Sequence, residues 1–291
     1  MSGAVSGEPM DRSYYSPSGR ISPKVLLFAP LAFPLAAVAA TIYSYVTLYL
    51  PIIGYVTVLL TAGLGFLIGS LSTLVLERSK ARSRLFATVL SLGLGLFTTW
   101  SMWVTWGYAL AQRAGSDIQF WALLWPPNLW DLVNAVNEHG SWSFKGLTPT
   151  GGVLWVLWTI EAGLLTVLPL VMGLSVADQP FCEHCDRWCE HTPALFLTPA
   201  VKKEEAAEHL KQRDFAWLQG LGVARSSLAH FTRWDLYECG CRATNAVSAI
   251  DIEVGVDDNG KQKVTETPLV QTFLLAPDVV PCFRQLAQSR A

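Results

Sequence analysis

From position 25 to position 76 the chain runs for 52 residues without one Asp, Glu, Lys, Arg or His. A membrane-spanning helix needs about 20 apolar residues. No soluble core helix stays uncharged for so long, so the stretch predicts two spans, about 25–50 and 53–76, joined by a tight turn at Pro51 and Gly54. Similar runs predict a third span over 85–111 and a fourth over 152–176. Composition agrees: 51% of residues are hydrophobic and 15% charged, against about 25% charged in a typical soluble domain. Lys24 and the apolar run up to Ala37-Val38-Ala39 have the outline of a cleavable signal peptide. The run continues unbroken to Leu50, which predicts a retained span.

Basic residues in short loops orient such a chain. Arg78, Lys80, Arg82 and Arg84 fall between spans two and three, the turn between spans one and two has no basic residue, and the connection between spans three and four has only Arg113 and Lys145. The N-terminus, the Arg-rich loop and the C-terminus are therefore expected on the cytoplasmic side of a plasma or inner membrane. Nine of the twelve tryptophans lie between positions 100 and 158, near the opposite face. They read either as an interfacial aromatic belt or as a ligand or partner surface. An amphipathic helix is predicted over 126–138, with Leu129, Trp130, Leu132, Val133 and Val136 on one side, lying along the outer surface. Residues 1–23 lack apolar periodicity and are expected as a disordered tail. Gly65 and Gly69 form a G-x-x-x-G pattern on span two, suited to packing against Gly93 and Gly95 of span three or, as the minority option, to oligomerisation.

Glu161 is the only acidic residue well inside a span. A charge near the bilayer centre costs about 3 kcal/mol on insertion scales. Glu161 is therefore expected to be protonated or to hydrogen-bond a neighbouring helix, with Thr98, Thr99, Ser101 and Tyr43 as candidates; the functional alternative is a proton or cation path.

The remaining chain, 177–291, is polar and carries all six cysteines. Cys182 and Cys185 form a C-x-x-C turn, and Cys239 and Cys241 form a second close pair. In a reducing compartment such pairs favour metal over disulfides. Four thiolates at a common centre suit Zn²⁺ with Zn–S near 2.3 Å. Cys182, Cys185, Cys239 and Cys241 are the economical ligand set; Cys189, His191 or His184 could replace a member of the second pair. Thr198-Pro199 is a plausible helix start, with a helix over 202–218. Ile250, Ile252, Val254 and Val256 alternate with Asp251, Glu253 and Gly255, which predicts a strand. Asp258-Asn259-Gly260 then suits a hairpin turn before a return strand over 261–275.

A C-x-x-C knuckle, a second close pair and a following hairpin resemble a zinc ribbon over the C-terminal part of the chain. The second pair is one residue shorter than the usual knuckle, and 53 residues separate the pairs where about 15–20 are common. A helical insertion over 190–238 is expected to fill the gap. The expected fold class is thus a polytopic α-helical membrane protein with four transmembrane helices (24–176) and a small cytoplasmic α+β, zinc-ribbon-like domain (177–291). Net charge is −2, so no global basic balance suggests a nucleic-acid partner. A membrane-anchored adaptor with a protein partner is the leading expectation. A transporter, channel subunit or sensor using Glu161 comes next, and a membrane-surface enzyme third. The sequence shows no recognisable Ser/His/Asp order, phosphate loop or dinucleotide fingerprint.

Overall fold

A computed structural model describes residues 13–49, 55–140, 148–224, 229–256 and 260–290. The expected turn at Pro51 and Gly54, Trp142, Lys145, and Asp258-Asn259 lie outside the described residues. The chain divides into two compact units, residues 18–178 and residues 1–17 with 179–291.

The first unit holds α1 (Val25–Tyr49), α2 (Tyr55–Ser79), α3 (Arg84–Arg113), α4 (Phe120–Leu123), α5 (Pro126–His139) and α6 (Gly152–Ala177). α1, α2, α3 and α6 are long and apolar enough to cross a membrane. Their packing is the reverse of a soluble bundle. Ala32, Ala36, Ala40 and Ser44 of α1 are buried at four-residue spacing, whereas Leu26, Leu27, Leu31 and Leu35 are exposed. Small residues inside and large apolar ones outside suit a lipid surround, because close backbone approach and interhelical hydrogen bonds drive association there. Ser44 Oγ donates to Met102 O of α3 at 3.0 Å, and Ser72 of α2 bonds Ser91 of α3 at 2.7 Å.

The glycine pattern on α2 meets α6. A methyl group on Gly65 would lie 2.8 Å from Leu164 O, and one on Gly69 would strike Met172 Sδ. Gly95 of α3 also faces α6, where a methyl group would lie 3.0 Å from Thr166 Cα, and Gly93 faces open space. The glycines therefore seat α6 against both α2 and α3; Gly65 and Gly69 do not pair with Gly93 and Gly95. Leu129 of α5 packs with Val104 and Leu123, and Leu132 reaches Gly107, so the apolar face of α5 is seated on α3 and α4.

The second unit begins with a hairpin of β1 (Phe181–Cys182) and β2 (Arg187–Trp188). An antiparallel meander follows, in the order β3 (Glu190–Pro199), β4 (His230–Glu238), β5 (Asn245–Val256) and β6 (Gln262–Leu274). The helices are α7 (Lys203–Lys211), α8 (Phe215–Gly220) and α9 (Val280–Arg290). Ala206, Leu210, Leu218, Val280, Phe283 and Leu286 of these helices pack with Trp234, Leu236, Val247 and Ala249 of the sheet. Burying each large apolar side chain contributes about 1.5–3 kcal/mol.

Three expectations change here. Thr198 and Pro199 end β3 and do not start a helix; Thr198 is buried and accepts a hydrogen bond from Trp234 Nε1 at 3.0 Å. The helix expected over 202–218 is two helices. Arg213 adopts φ 57° and Asp214 caps α8 by accepting from Trp217 N at 3.3 Å; both features stop one helix and start another. The segment 190–238 is only partly helical, since it supplies β3 and β4. Within the expected tail, the described residues begin at Ser13. Tyr14 bridges Phe273 and Tyr15 N donates to Thr272 O in one unit, while Gly19 N donates to Arg82 O in the other.

Candidate metal centre

The sheet register explains how two cysteine pairs 53 residues apart can meet. β3 and β4 pair Glu190 with Glu238 and His191 with Tyr237. The first knuckle runs directly into the start of β3, and the second leaves the end of β4. Their chain neighbours are therefore cross-strand partners, whatever the length of the α7–α8 excursion. The result is a cluster of Cys182, Cys185, Cys239 and Cys241 with all four Sγ atoms within 4.8 Å of one another.

Each pair sits in a tight turn. β1 and β2 pair Cys182 with Arg187, and the turn between them places Asp186 at φ 50°. In the second turn Arg242 N donates to Cys239 O at 2.7 Å, Cys239 N donates to Thr244 O at 3.1 Å, and Arg242 has φ 60°. In both turns the residue after the second cysteine is left-handed, a conformation that costs a non-glycine residue about 1–2 kcal/mol. The shorter Cys-Gly-Cys spacing thus still builds a knuckle. Gly240 is not needed for space, since a methyl group there meets nothing within 4 Å.

The donor set fits a metal ion. Cys182 and Cys241 Sγ are 3.5 Å apart, and Cys239 and Cys241 Sγ are 3.6 Å apart. A tetrahedron with Zn–S near 2.3 Å has edges of about 3.8 Å. Ala243 N donates to Cys241 Sγ at 3.4 Å, a bond that favours thiolate. Hydrogen bonding, chiefly from the Cys185 thiol, holds Cys241 down to about 7. Cys185, whose proton is shared with Cys241, is pushed up to about 12. The hydrogen bonds thus favour the thiolate at Cys241 over its neighbours, and a bound cation would displace the remaining protons.

The three possible substitutes lie outside the four-thiol group. Cys189 Sγ points to Thr244 O at 3.6 Å, and burial pushes its thiol up to about 12. His191 stacks on Tyr237, with ring centroids 4.4 Å apart, and lies 3.4 Å from the Asp235 carboxylate. His184 is not among the clustered ligands.

Asp235 carries a structural role that the sequence did not announce. It is 2% exposed. It accepts from Ala194 N at 2.8 Å and from Arg233 Nε at 3.1 Å. Ala194 has φ 50° and lies in the bulge where the β3–β4 register shifts between Thr192 and Phe196. Asp235 thus pins the irregular part of the strand pair that brings the knuckles together. A charged residue at one position of a strand pattern was the only available signal.

Glu161 on α6 makes no hydrogen bond or ion pair among the described residues; Tyr43 of α1 lies within electrostatic reach. Tyr43 itself bonds Thr61 of α2 at 2.6 Å. Thr98 and Thr99 are not its partners, because they donate to Leu94 O and Gly95 O of their own helix. Comparison with protein-family models, with curated proteins and with solved structures finds no match for this chain.

Proposed function

We propose that the chain is an integral membrane protein whose C-terminal unit is a structural-zinc, zinc-ribbon-like module, and that it works as a membrane-anchored adaptor. The observation that carries this reading is the convergence at one point of four thiols, with no His, Asp or Glu ligand among the described residues joining them. An all-thiolate set closes the coordination sphere, which suits a cross-link and leaves no open position for catalysis. Cys182, Cys185, Cys239 and Cys241 hold the ion, and the ion ties the β1–β2 hairpin to the β4–β5 turn. The basic loop between α2 and α3 favours cytoplasmic termini, where thiolates stay reduced. The module carries no basic surface signature, so its partner is a protein. Crosslinking in cells followed by affinity purification of the full-length chain should recover a discrete protein partner. A variant with both Cys182→Ser and Cys239→Ser should lose that partner while still reaching the membrane. Equal recovery by both forms refutes the adaptor role of the module.

A second reading rests on Glu161, a carboxylate in an apolar helix without a hydrogen-bonded partner among the described residues. An intramembrane acid of this kind suits a proton or cation path. Replacing it by Gln should abolish ion flux in reconstituted vesicles; unchanged flux, or no flux in the parent, removes this reading.

A further inference from the structure

A cleft of about 440 Å³ opens between α3, α5 and α6. Its walls include Trp100, Trp103, Trp130, Trp155 and Trp158. Trp158 stands at right angles to two of them. It meets Trp103 at 88° with centroids 4.9 Å apart and Trp155 at 81° with centroids 5.4 Å apart. Trp130 continues the wall, tilted 39° to Trp155. The ring planes therefore differ in orientation around one cleft. The lining carries no ionised side chain. Its one hydroxyl, Thr159, already donates to Trp155 O at 2.7 Å.

These walls select by charge and by hydration. A sodium ion or a primary ammonium entering the cleft would give up water and find almost no oxygen to replace it. A quaternary ammonium has no N–H to satisfy, is weakly hydrated, and is attracted by the negative faces of indole rings. Glu161 and Asp131 adjoin the lining residues Ala162 and Trp130 in the chain but do not line the cleft, so the attraction comes from the rings.

We propose that this tryptophan cleft binds a quaternary ammonium group. The group has two sources, the choline headgroup of a phosphatidylcholine and a small free trimethylammonium compound. The site is independent of the thiol centre and of the adaptor role.

The test uses full-length protein in phosphatidylglycerol nanodiscs, with tryptophan fluorescence read during titration with tetramethylammonium chloride at constant ionic strength. A saturable change is expected. The neutral isostere 3,3-dimethylbutanol should bind about tenfold more weakly or worse, since it fills the same volume without the charge. Trp158→Leu should weaken tetramethylammonium binding by about tenfold, and Trp158→Phe, which keeps an aromatic face, by about threefold. The comparison of cation with isostere needs no variant, so it stands even if Trp158→Leu fails to fold. If phosphatidylcholine nanodiscs suppress the titration and phosphatidylethanolamine nanodiscs do not, the ligand is the lipid headgroup; an unchanged titration in both assigns the free compound. Absence of a saturable change, or equal binding of the neutral isostere, overturns the proposal.

Discussion

Replacing Asp235 by Ala removes a buried carboxylate from the strand pair that aligns the two cysteine knuckles. Two donors lose their acceptor. Ala194 N–H, at 2.8 Å, lies in an exposed bulge, so water can replace its acceptor, and the loss is that of a hydrogen bond to a charged group, about 1.5–3 kcal/mol. Arg233 loses one bond at 3.1 Å but keeps Glu266, with both oxygens at 3.2 Å, so its share is nearer about 1 kcal/mol. The sum is about 3 kcal/mol, which is about a hundredfold in local opening. Hydrogen exchange of the full-length protein in detergent, read in peptides covering 190–199 and 230–238, should therefore accelerate by about a hundredfold. Asp235→Asn keeps an acceptor for Ala194 and should accelerate exchange by only about tenfold. Exchange within about threefold of the parent in Asp235→Ala, or equal effects of Ala and Asn, would refute the role given to this carboxylate.

Other outcomes follow from the same geometry. Gly95→Val drives a branched side chain into Leu165 O and Thr166 of α6; it should lower detergent-phase stability by about 1–3 kcal/mol, measured as a drop in thermal midpoint, and Gly93→Val, in open space, should not. In the metal-free protein, alkylation of Cys241 by iodoacetamide should rise through a midpoint near pH 7, the value to which the Cys185 thiol holds it. Cys189 should stay unreactive at neutral pH, since burial holds its proton up to about 12; peptide mass spectrometry separates the two. The sign for folding follows: a thiol lowered on folding adds stability that is present above its unfolded value of about 8.5 and is lost as pH falls through about 7. The Cys185 and Cys189 thiols, raised to about 12, contribute with the opposite sign as pH rises through about 8.5, so the loss is read as the difference in urea stability between the metal-free parent and Cys241→Ser, which should shrink as pH falls through about 7; a difference that grows on acidification would contradict it. Cys189→Ser should keep the metal stoichiometry of the parent, because its sulfur lies outside the four-thiol group.

The four long helices were legible in the sequence because the absence of charge over some twenty residues leaves the backbone few alternatives. Their ends moved by a few residues, and their pairing was not legible: Gly65 and Gly69 look alike from either side, and only the position of α6 decides which helix fills the groove. The four thiols could be singled out by pairing alone. What spacing hid was the route between them. The apolar residues of β3 and β4 sit in a segment rich in charge and interrupted by Arg213 and Asp214, so the strand signal was weak beside the helix signal of Lys203–Lys211. The knuckle after Cys241 was likewise hidden, because the left-handed position is held by Arg242, where glycine would have announced it.

The central claim is a four-thiolate metal centre, and one measurement addresses it directly: elemental analysis with zinc-edge X-ray absorption on full-length protein purified in detergent under reducing conditions. About one zinc per chain is predicted, with four sulfur neighbours near 2.3 Å, and loss of that zinc from a variant carrying Cys182→Ser and Cys239→Ser. Less than about 0.2 zinc per chain, or a first shell containing nitrogen, would contradict the account.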